Sequence, residues 1–265
     1  MNSYKKEFDH KSTYFEQGFY NNAIPNIFIH GVGLDNTMWY PQKKIFKNKP
    51  VIFYDILNHG KSKKGFNKLT FQDFSDQLDS LLTYLKISKI NLIGFSIGAL
   101  IAQHFTALNI DKINKLVLIG SVYKRSKQQI EIVKNRYKKA SEGESITVGS
   151  IKRWFSTLYL KQNPDVYKFF FNLLENKKNE DFIPAYKVFV ESDKKKLNFS
   201  KFNIPTLIMT GENEIGSTPQ MSEDLHQEIK NSILYIIKDA KHGATIEKAH
   251  DVNNQLIKFL FNSKN

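Results

Sequence analysis

The sequence contains no cysteine, and this single absence excludes several kinds of chemistry. It leaves no disulfide framework, no thiolate nucleophile and no metal site built on cysteine. Long apolar runs are also missing, because no stretch approaches the roughly 18–20 apolar residues that a membrane span requires. The first 17 residues are polar and charged and lack the apolar core of a secretory signal. We therefore expect a cytoplasmic protein with no membrane partner.

Arginine is scarce as well, although the chain is strongly basic. Lysine and arginine together number 39 against 26 acidic residues, which gives a formal net charge of +13. Arginine occurs only at Arg125, Arg136 and Arg153, and the lysines are scattered rather than arranged in a stripe with interleaved aromatic residues. This dispersal favours surface solvation over nucleic-acid binding. Attraction of an anionic substrate by the field of the protein stays open as a weaker alternative.

What the chain does contain is a series of short apolar runs rich in β-branched residues. They alternate with segments of helical period, which is typical of βαβ units. Each run is almost continuously apolar, as expected for strands covered on both faces. An earlier pair of segments, 4–8 and 13–19, fits an antiparallel hairpin at the sheet edge. The six later strands are predicted at 26–29, 51–54, 90–93, 116–119, 206–209 and 233–237. Together they predict an α/β protein with a mostly parallel, eight-stranded sheet.

The helical segments have one apolar face each. Residues 71–85 place phenylalanine and leucine at helical spacing, with Thr70 as the N-cap and Asp73 as its capping-box partner. Further core helices are predicted at 97–108, 219–229 and 245–261. From roughly 122 to 199 the strand pattern stops, and short helical segments rich in aromatic residues follow. We expect a core formed by 1–121 and 202–265 and a helical cap, 122–201, over the carboxyl ends of the strands.

A serine stands at the sharpest predicted turn of the chain. Residues 94–98 read Gly-Phe-Ser-Ile-Gly and join the strand at 90–93 to the helix that starts at Ile97. A strand, a turn and a helix in this order expose the serine on a strained elbow, where it acts as a nucleophile. The structural alternative is a serine that only caps the helix. We predict that Ser96 is the nucleophile.

A serine hydroxyl requires a base, and the base requires an acid that holds it. His242 follows the last strand and precedes the last helix, so it lies at the same sheet edge as Ser96 and is the predicted base. The acid is expected after the strand at 206–209, where Glu212 and Glu214 compete. Asp239 lies near the histidine in sequence but before the turn. We select Glu214 as the acid that fixes the histidine tautomer.

Acyl transfer also requires donors for the oxyanion. The backbone N–H of Ile97, just after the nucleophile, is one predicted donor. The second is the N–H of Val32, in the loop His30-Gly-Val-Gly33 after the strand at 26–29. A glycine-rich loop could instead bind a phosphate. The lysine-serine/threonine pair of a P-loop and the third glycine of the dinucleotide fingerprint are both absent, so acyl chemistry is favoured.

Two turns carry a family resemblance. The first turn spans residues 30–35 and leads to Met38 and Trp39. The second has Tyr54-Asp55 followed by Asn-His-Gly-Lys-Ser at 58–62. Both turns resemble those of α/β-hydrolases of the 3-oxoadipate enol-lactonase type. Asn58 stands where this family has glycine, so we expect a positive φ there. The resemblance covers 20–121 and 202–262, and it implies the α/β-hydrolase fold, with the helical cap inserted after the sixth strand.

Two departures stand out: Glu214 replaces the usual aspartate of the acid loop, and Lys241 stands where glycine is common. In the cap the resemblance reaches only the helical character and Trp154, which we assign to substrate binding.

These residues predict a serine hydrolase without cofactor or metal, acting on a small, partly apolar ester or lactone through an acyl-enzyme. Carbon–carbon hydrolysis of ring-cleavage products and a perhydrolase or haloperoxidase activity use a similar triad and stay open. Dehalogenases and epoxide hydrolases need a carboxylate where Ser96 stands. A ligand-binding receptor on the same fold is a further alternative. The oligomeric state is left open.

Overall fold

One sheet forms the centre of the molecule. The computed structural model describes residues 4–18, 23–194 and 196–261. The strands found in these residues are β1 (Lys5–Phe8), β2 (Tyr14–Gln17), β3 (Asn26–Ile29), β4 (Val51–Tyr54), β5 (Ile90–Phe95), β6 (Ile113–Ile119), β7 (Thr206–Gly211) and β8 (Ser232–Ile237). Their spatial order is β1-β2-β4-β3-β5-β6-β7-β8.

The sheet confirms the predicted fold class. The first two strands pair antiparallel, and β2 pairs antiparallel with β4. All later pairs, from β4-β3 to β7-β8, are parallel. The predicted edge hairpin is therefore present, although residue 19, the end of its second segment, lies outside the described residues. The carboxyl ends of six parallel strands meet at one edge of the sheet.

Both faces of the sheet are covered, which explains the continuous apolar runs. Successive side chains of a strand point to opposite faces. In β3, Phe28 packs into one buried cluster and Ile29 into the other, and in β5 Ile93 and Leu92 divide in the same way. All four side chains are inaccessible to solvent. A strand with only one buried face would alternate apolar and polar residues instead.

The helices pack on the two faces and above the sheet edge. The α-helices found in the described residues are α1 (Tyr40–Phe46), α2 (Phe71–Tyr84), α3 (Ile97–Leu108), α4 (Lys127–Ser141), α5 (Thr147–Trp154), α6 (Thr157–Gln162), α7 (Pro164–Glu175), α8 (Asn179–Val190), α9 (Pro219–Glu228), α10 (Ala244–Glu247) and α11 (Ala249–Phe261). The apolar faces of α2, α3 and α9 cover one side of the sheet, and α1 and α11 cover the other.

The predicted capping box of α2 is confirmed. The Asp73 carboxylate accepts the Thr70 N–H at 2.7 Å, and the Thr70 hydroxyl accepts the Asp73 N–H at 3.3 Å. Each side chain satisfies a backbone donor that the first helical turn leaves unpaired. The helix therefore begins at Phe71, as its apolar spacing predicts.

The helix predicted as continuous over 245–261 is in fact broken. Lys248, with φ −118° and ψ 38°, leaves the helical region and separates α10 from α11. The carbonyl of Thr245 accepts a hydrogen bond from the Gln42 amide at 2.9 Å, and the same amide donates to the Asn253 side chain. In a continuous helix that carbonyl would accept the N–H of Ala249. A contact from a residue 203 positions away takes its place, so local periodicity could not reveal the break.

Five helices, α4 to α8, lie between β6 and β7, and the described residues of this stretch form no strand. The helical insertion after the sixth strand is thus confirmed. No helix in the described part of the chain combines the length and apolar character of a membrane span.

Candidate active site

Ser96 sits in a strained backbone conformation between β5 and α3. Its φ of 56° and ψ of −119° lie outside the regions that side chains other than glycine normally adopt. The Ser96 N–H donates to the carbonyl of Ile119 at 2.9 Å, which ties the turn to the neighbouring strand β6. Ser96 holds the N-cap position of α3, but its side chain makes no capping hydrogen bond, so capping does not account for a serine hydroxyl here. The hydroxyl is left for another use.

The two glycines of the elbow are required by close backbone contacts. A Cβ atom at Gly94 would lie 2.2 Å from the Gly98 carbonyl oxygen. A Cβ at Gly98 would lie 2.4 Å from the Ile29 carbonyl oxygen in β3. Neither position can hold a side chain unless the backbone moves. The Gly-x-Ser-x-Gly pattern therefore reports how closely α3 approaches the sheet.

His242 lies in the loop after β8, and its ring is almost fully buried. Its Nδ1 atom lies 2.5 Å from Oε2 of Glu214. The imidazole also packs against Phe95, with ring centroids 4.8 Å apart, and against Trp154, at 6.3 Å. Because Nδ1 faces the carboxylate, Nε2 is the nitrogen left to exchange a proton with a hydroxyl.

Only one of the three acidic candidates contacts His242. Glu214 is buried, and its second oxygen, Oε1, accepts the Gly216 N–H at 2.6 Å. Glu212 is exposed and instead accepts the backbone N–H of Asp239 at 3.0 Å. Asp239 is itself exposed, with a positive φ of 53°. Of the two glutamates weighed in the sequence, the one selected there, Glu214, is thus the one that lies behind the histidine.

Neighbouring groups stabilise the ionised form of the Glu214 side chain. Burial alone would raise the pKa of this carboxyl. The opposite charge of His242 and the contact with its ring lower the pKa of Glu214. Arg153, whose Nη1 lies 3.9 Å from Oε1, and the Gly216 N–H lower it further. Together they lower the pKa of Glu214 to about 2. The carboxylate is therefore ionised at neutral pH.

Two buried histidines shape the loop that carries Val32. His59 accepts the Gly33 N–H on Nε2 at 2.9 Å, and its Nδ1 donates to the Leu57 carbonyl at 2.9 Å. Because His59 takes the Gly33 N–H, Val32 is the candidate donor toward the oxyanion. Burial, followed by the charge of His30, lowers the pKa of His59 to about 3, so the ring is neutral and can accept.

His30, the first residue of this loop, acts in the same manner. Its Nε2 accepts the Ile56 N–H at 3.1 Å, and its Nδ1 donates to the Gly31 carbonyl at 2.8 Å. Burial lowers the pKa of His30 as well. Neither histidine received a role in the sequence prediction. The only signal was their presence in the two family-like turns, at 30–35 and 58–62.

The second of these turns is held by Asp55. One oxygen of this buried carboxylate accepts the Asn36 backbone N–H at 2.8 Å, and the other accepts the Lys61 N–H at 2.8 Å. A Cβ at Gly60 would lie 2.0 Å from the carboxylate, so this position requires glycine. The positive φ predicted for Asn58 is confirmed at 62°.

The predicted residues meet at one cavity of about 290 Å³. Ser96, His242, Val32 and Trp154 line it, Glu214 lies behind His242, and Ile97 follows the serine as the first residue of α3. The first N–H groups of a helix have no acceptor within the helix, so the Ile97 N–H is a suitable donor. All three arginines of the chain also line the cavity, which the sequence prediction missed. Within the described residues, no group of three or more metal-ligating side chains is found.

A family model of the alpha/beta hydrolase fold matches residues 27–249, so the chain belongs to the α/β-hydrolase family. It is similar to the (E)-2-((N-methylformamido)methylene)succinate hydrolase of Acinetobacter baylyi, with 28% identity over 92% of this chain and 91% of that protein. 3-Oxoadipate enol-lactonase 2 of the same organism is 21% identical over 86% of this chain and 85% of its own. The solved enol-lactonase of Burkholderia xenovorans superposes with a TM-score of 0.85 at 22% identity, over 97% of this chain and 100% of that chain. The resemblance predicted from the two turns is confirmed.

Proposed function

We propose that this protein is a cofactor-free serine hydrolase that cleaves a small carboxylic ester or lactone. The observation that carries the proposal is the shared cavity. It joins Ser96, on a strained turn with an uncommitted hydroxyl, to His242, whose Nδ1 contacts the buried carboxylate of Glu214. The relatives named as enol-lactonases support an acyl substrate of this kind.

In the proposed reaction, the Ser96 hydroxyl attacks the carbonyl carbon while Nε2 of His242 takes its proton. The backbone N–H groups of Ile97 and Val32 stabilise the tetrahedral oxyanion. Its collapse expels the alcohol or enol, which His242 protonates, and leaves an acyl group on the serine. His242 then takes a proton from water while the water oxygen attacks the acyl carbon; when this second tetrahedral intermediate collapses, the bond to the serine oxygen breaks, His242 returns the proton to that oxygen, and the acid is released. Glu214 holds the proton of Nδ1 and stabilises the imidazolium in both halves.

We further propose that residues 122–201 act as a cap that selects the substrate, over a core formed by 1–121 and 202–265. Four cap helices, α4, α5, α7 and α8, contribute side chains to the cavity wall, and Trp154 of α5 lies against His242. Much of the remaining wall is aliphatic or aromatic, including Leu34, Val122 and Phe182. Such a wall fits a small, partly apolar substrate.

Labelling with a fluorophosphonate tests the nucleophile. The wild-type protein is expected to react at Ser96, and Ser96→Ala should abolish labelling. Ser217→Ala is the matched control, because Ser217 lines the same cavity and its hydroxyl lies 3.4 Å from Nδ1 of His242. Labelling that survives Ser96→Ala but is lost in Ser217→Ala would move the nucleophile to Ser217.

Turnover separates an enzyme from a receptor. A hydrolase should cleave a small aryl ester or lactone many times per molecule, whereas a receptor on this fold would give at most one equivalent of product. Release of a single equivalent, with Ser96 labelled, would overturn the hydrolase proposal and favour the receptor.

A further inference from the structure

The loop that carries His242 contacts the end of α5 on both sides of the histidine. Before it, Nζ of Lys241 donates to the carbonyl of Lys152 at 3.3 Å, and after it, the Gly243 N–H donates to the carbonyl of Trp154 at 2.8 Å. Both acceptors lie in the last turn of α5, where a helix leaves its final carbonyls without partners. The histidine loop therefore supplies donors that complete the C-terminus of this helix.

The same loop packs closely against the residue that follows α5. Phe155 is the middle residue of the α5–α6 junction, Trp154-Phe155-Ser156. A Cβ at Gly243 would lie 2.4 Å from Cε1 of Phe155. Phe155 has little room to move, because its buried ring packs against the rings of Tyr159 and Phe170, with centroids 5.9 and 5.1 Å away. The loop thus approaches the junction as closely as a residue without a side chain permits.

A carboxylate contacts the junction one helical turn beyond Gly243. Oε2 of Glu247 accepts the Ser156 N–H at 3.0 Å, and Oε1 accepts the Ser156 hydroxyl at 2.5 Å. The Glu247 N–H donates to the Gly243 carbonyl at 3.0 Å, so the single turn of α10 connects this carboxylate directly to the histidine loop. Both oxygens of a partly buried carboxylate are therefore used on one residue of the junction.

The helix α10 does not itself explain this glutamate. Glu247 ends a helix of four residues, and a negative charge at a helix C-terminus is unfavourable. Its hydrogen bonds to Ser156 are charge-assisted, which makes them stronger than those between neutral groups. The Ser156 hydroxyl also accepts the Tyr159 N–H at 3.2 Å and so caps α6. The carboxylate of Glu247 thus acts on the cap helices rather than on its own helix.

We propose that Glu247 is a positioning residue: by holding the α5–α6 junction on the histidine loop, it keeps the His242 ring in register with Ser96. This inference rests on the proposed function, which makes His242 the base. The Trp154 ring of the junction packs against the imidazole, with centroids 6.3 Å apart, and Nδ1 lies 2.5 Å from Oε2 of Glu214. A misplacement of about 1 Å at a catalytic group can cost about a hundredfold in rate. The cap then contributes to catalysis as well as to substrate selection.

Steady-state hydrolysis of a neutral aryl ester tests the positioning. Fluorophosphonate labelling carried to completion counts the competent Ser96, so a loss of folded protein does not lower kcat per labelled serine. In Glu247→Ala this kcat should fall by about tenfold to a hundredfold, because the base is displaced. KM should change by no more than about threefold, because the cavity wall is kept. An unchanged kcat, or a rise in KM alone, would overturn the inference.

The conservative variant should restore activity. Glu247→Gln keeps an oxygen that accepts the Ser156 N–H, and its amide group can donate to the serine hydroxyl. Its kcat should therefore lie within about threefold of the wild type. A loss in Glu247→Gln as large as that in Glu247→Ala would mean that the hydrogen bonds to the junction are not what matters, and it would refute the assignment.

A double variant tests whether the two residues act as a pair. Ser156→Ala leaves the backbone N–H in place and should lower kcat less than Glu247→Ala. The variant Ser156→Ala/Glu247→Ala should be no slower than Glu247→Ala alone, because the contact is already lost. Losses that multiply in the double variant would contradict the pairing.

Glu228→Ala is the matched control. Glu228 also ends a helix, α9, and its carboxylate accepts from Nζ of Lys124, in the segment before α4, at 2.8 Å. It does not line the cavity, and the pair is exposed, so kcat should change by no more than about twofold. A loss as large as that of Glu247→Ala would refute the inference, because any contact with the cap segment would then have the same effect.

Tryptophan fluorescence reports on the junction without a substrate. The chain has two tryptophans, and Trp39 is inaccessible to solvent, so quenching by the neutral quencher acrylamide reports mainly on Trp154. Glu247→Ala should increase this quenching, Glu247→Gln should not, and adding Trp154→Phe to Glu247→Ala should remove the increase. Quenching that stays at the wild-type level in Glu247→Ala would refute the inference.

The two proposals fail in different ways. If Ser96 is labelled and the ester is cleaved while Glu247→Ala matches the wild type in kcat and quenching, this inference fails and the proposed function stands. If the wild type shows neither labelling nor turnover, the proposed function fails, and the role of Glu247 as a positioning residue for the base fails with it.

Discussion

Glu214→Gln tests the relay from the acid loop to the serine most directly. The substitution preserves the shape of the side chain and removes its charge, in a site where the carboxylate lies 2.5 Å from Nδ1 of His242 and is almost inaccessible to water. A glutamine amide can donate to Nδ1, which would move the proton of the ring to Nε2. In that tautomer His242 cannot accept the proton of Ser96.

The pKa of Glu214 gives the size of the electrostatic effect. Its fall from 4.5 to about 2 is the net result of unfavourable burial and favourable interaction, dominated by His242. That fall corresponds to on the order of 3 kcal/mol, which is about two orders of magnitude in rate if it is expressed in stabilising the imidazolium. Loss of the correct tautomer adds to this, and replacing the acid of a triad by its amide costs roughly 10⁴-fold in kcat. We expect kcat to fall by about 10³- to 10⁴-fold, with a small change in KM.

Glu212→Gln is the matched control for this prediction. It lies two residues away in the same loop, is exposed, and contacts only the backbone of Asp239 among the side-chain hydrogen bonds of the described chain. Steady-state hydrolysis of a neutral aryl ester should show a change within about twofold. A larger loss in Glu212→Gln than in Glu214→Gln would refute the reasoning, and so would a Glu214→Gln enzyme within tenfold of the wild type.

Two further changes probe the surroundings of the site and the core. Because the pKa of Glu214 is depressed in the folded protein, its contribution to stability is present above pH 4.5 and is lost as the pH falls toward 2. Arg153→Met should raise the pKa of Glu214 and so move this loss of stability upward by about half a pH unit. Thermal melts between pH 2 and 6 measure the shift. An unchanged acid limb would contradict the role of Arg153. Thr70→Ala removes the hydroxyl half of the α2 capping box and should lower the free energy of unfolding by about 1 kcal/mol in urea, whereas Thr83→Ala, exposed in the same helix, should cost less.

The strands were predictable because of how they are buried. Phe28 and Ile29 are adjacent in sequence and pack into the buried clusters on opposite faces of the sheet. A strand that is covered on both faces can therefore be recognised as an unbroken apolar run. The elbow was predictable because the serine and its glycines lie within five consecutive residues, and Gly94 is required by a backbone contact inside that turn, with the Gly98 carbonyl. Features that depend on neighbours in the chain, or on a uniform environment, can be recognised in the sequence.

Features that depend on distant contacts were not predictable. The break at Lys248 follows from the side chain of Gln42, and the loop of Val32 is held by His59, 26 positions away from Gly33. The sequence ranked Glu214 above Glu212 as the acid, but it could not show that Glu214 is buried against His242 while Glu212 is exposed. The arginines of the cap carry no local pattern at all. Their only signal was that arginine is rare in this chain, and that signal could be interpreted only once the structure showed all three lining one cavity.

The parallel topology explains how residues almost 150 positions apart form one site. The order β3-β5-β6-β7-β8 places the loop after β3 beside the elbow, where Gly98 packs on the Ile29 carbonyl. Strand β6 lies between the elbow and the two loops that carry the acid and the base. The residue that follows β6 leaves room for the His242 ring and supplies no functional group. Gly120, just after this strand, has a φ of 59°, and a Cβ there would lie only 3.3 Å from the His242 ring. In the proposed acyl transfer, the loops that follow the core strands supply the nucleophile, the acid, the base and the oxyanion donors, and substrate selection is assigned to the cap side chains that face the cavity, such as Trp154.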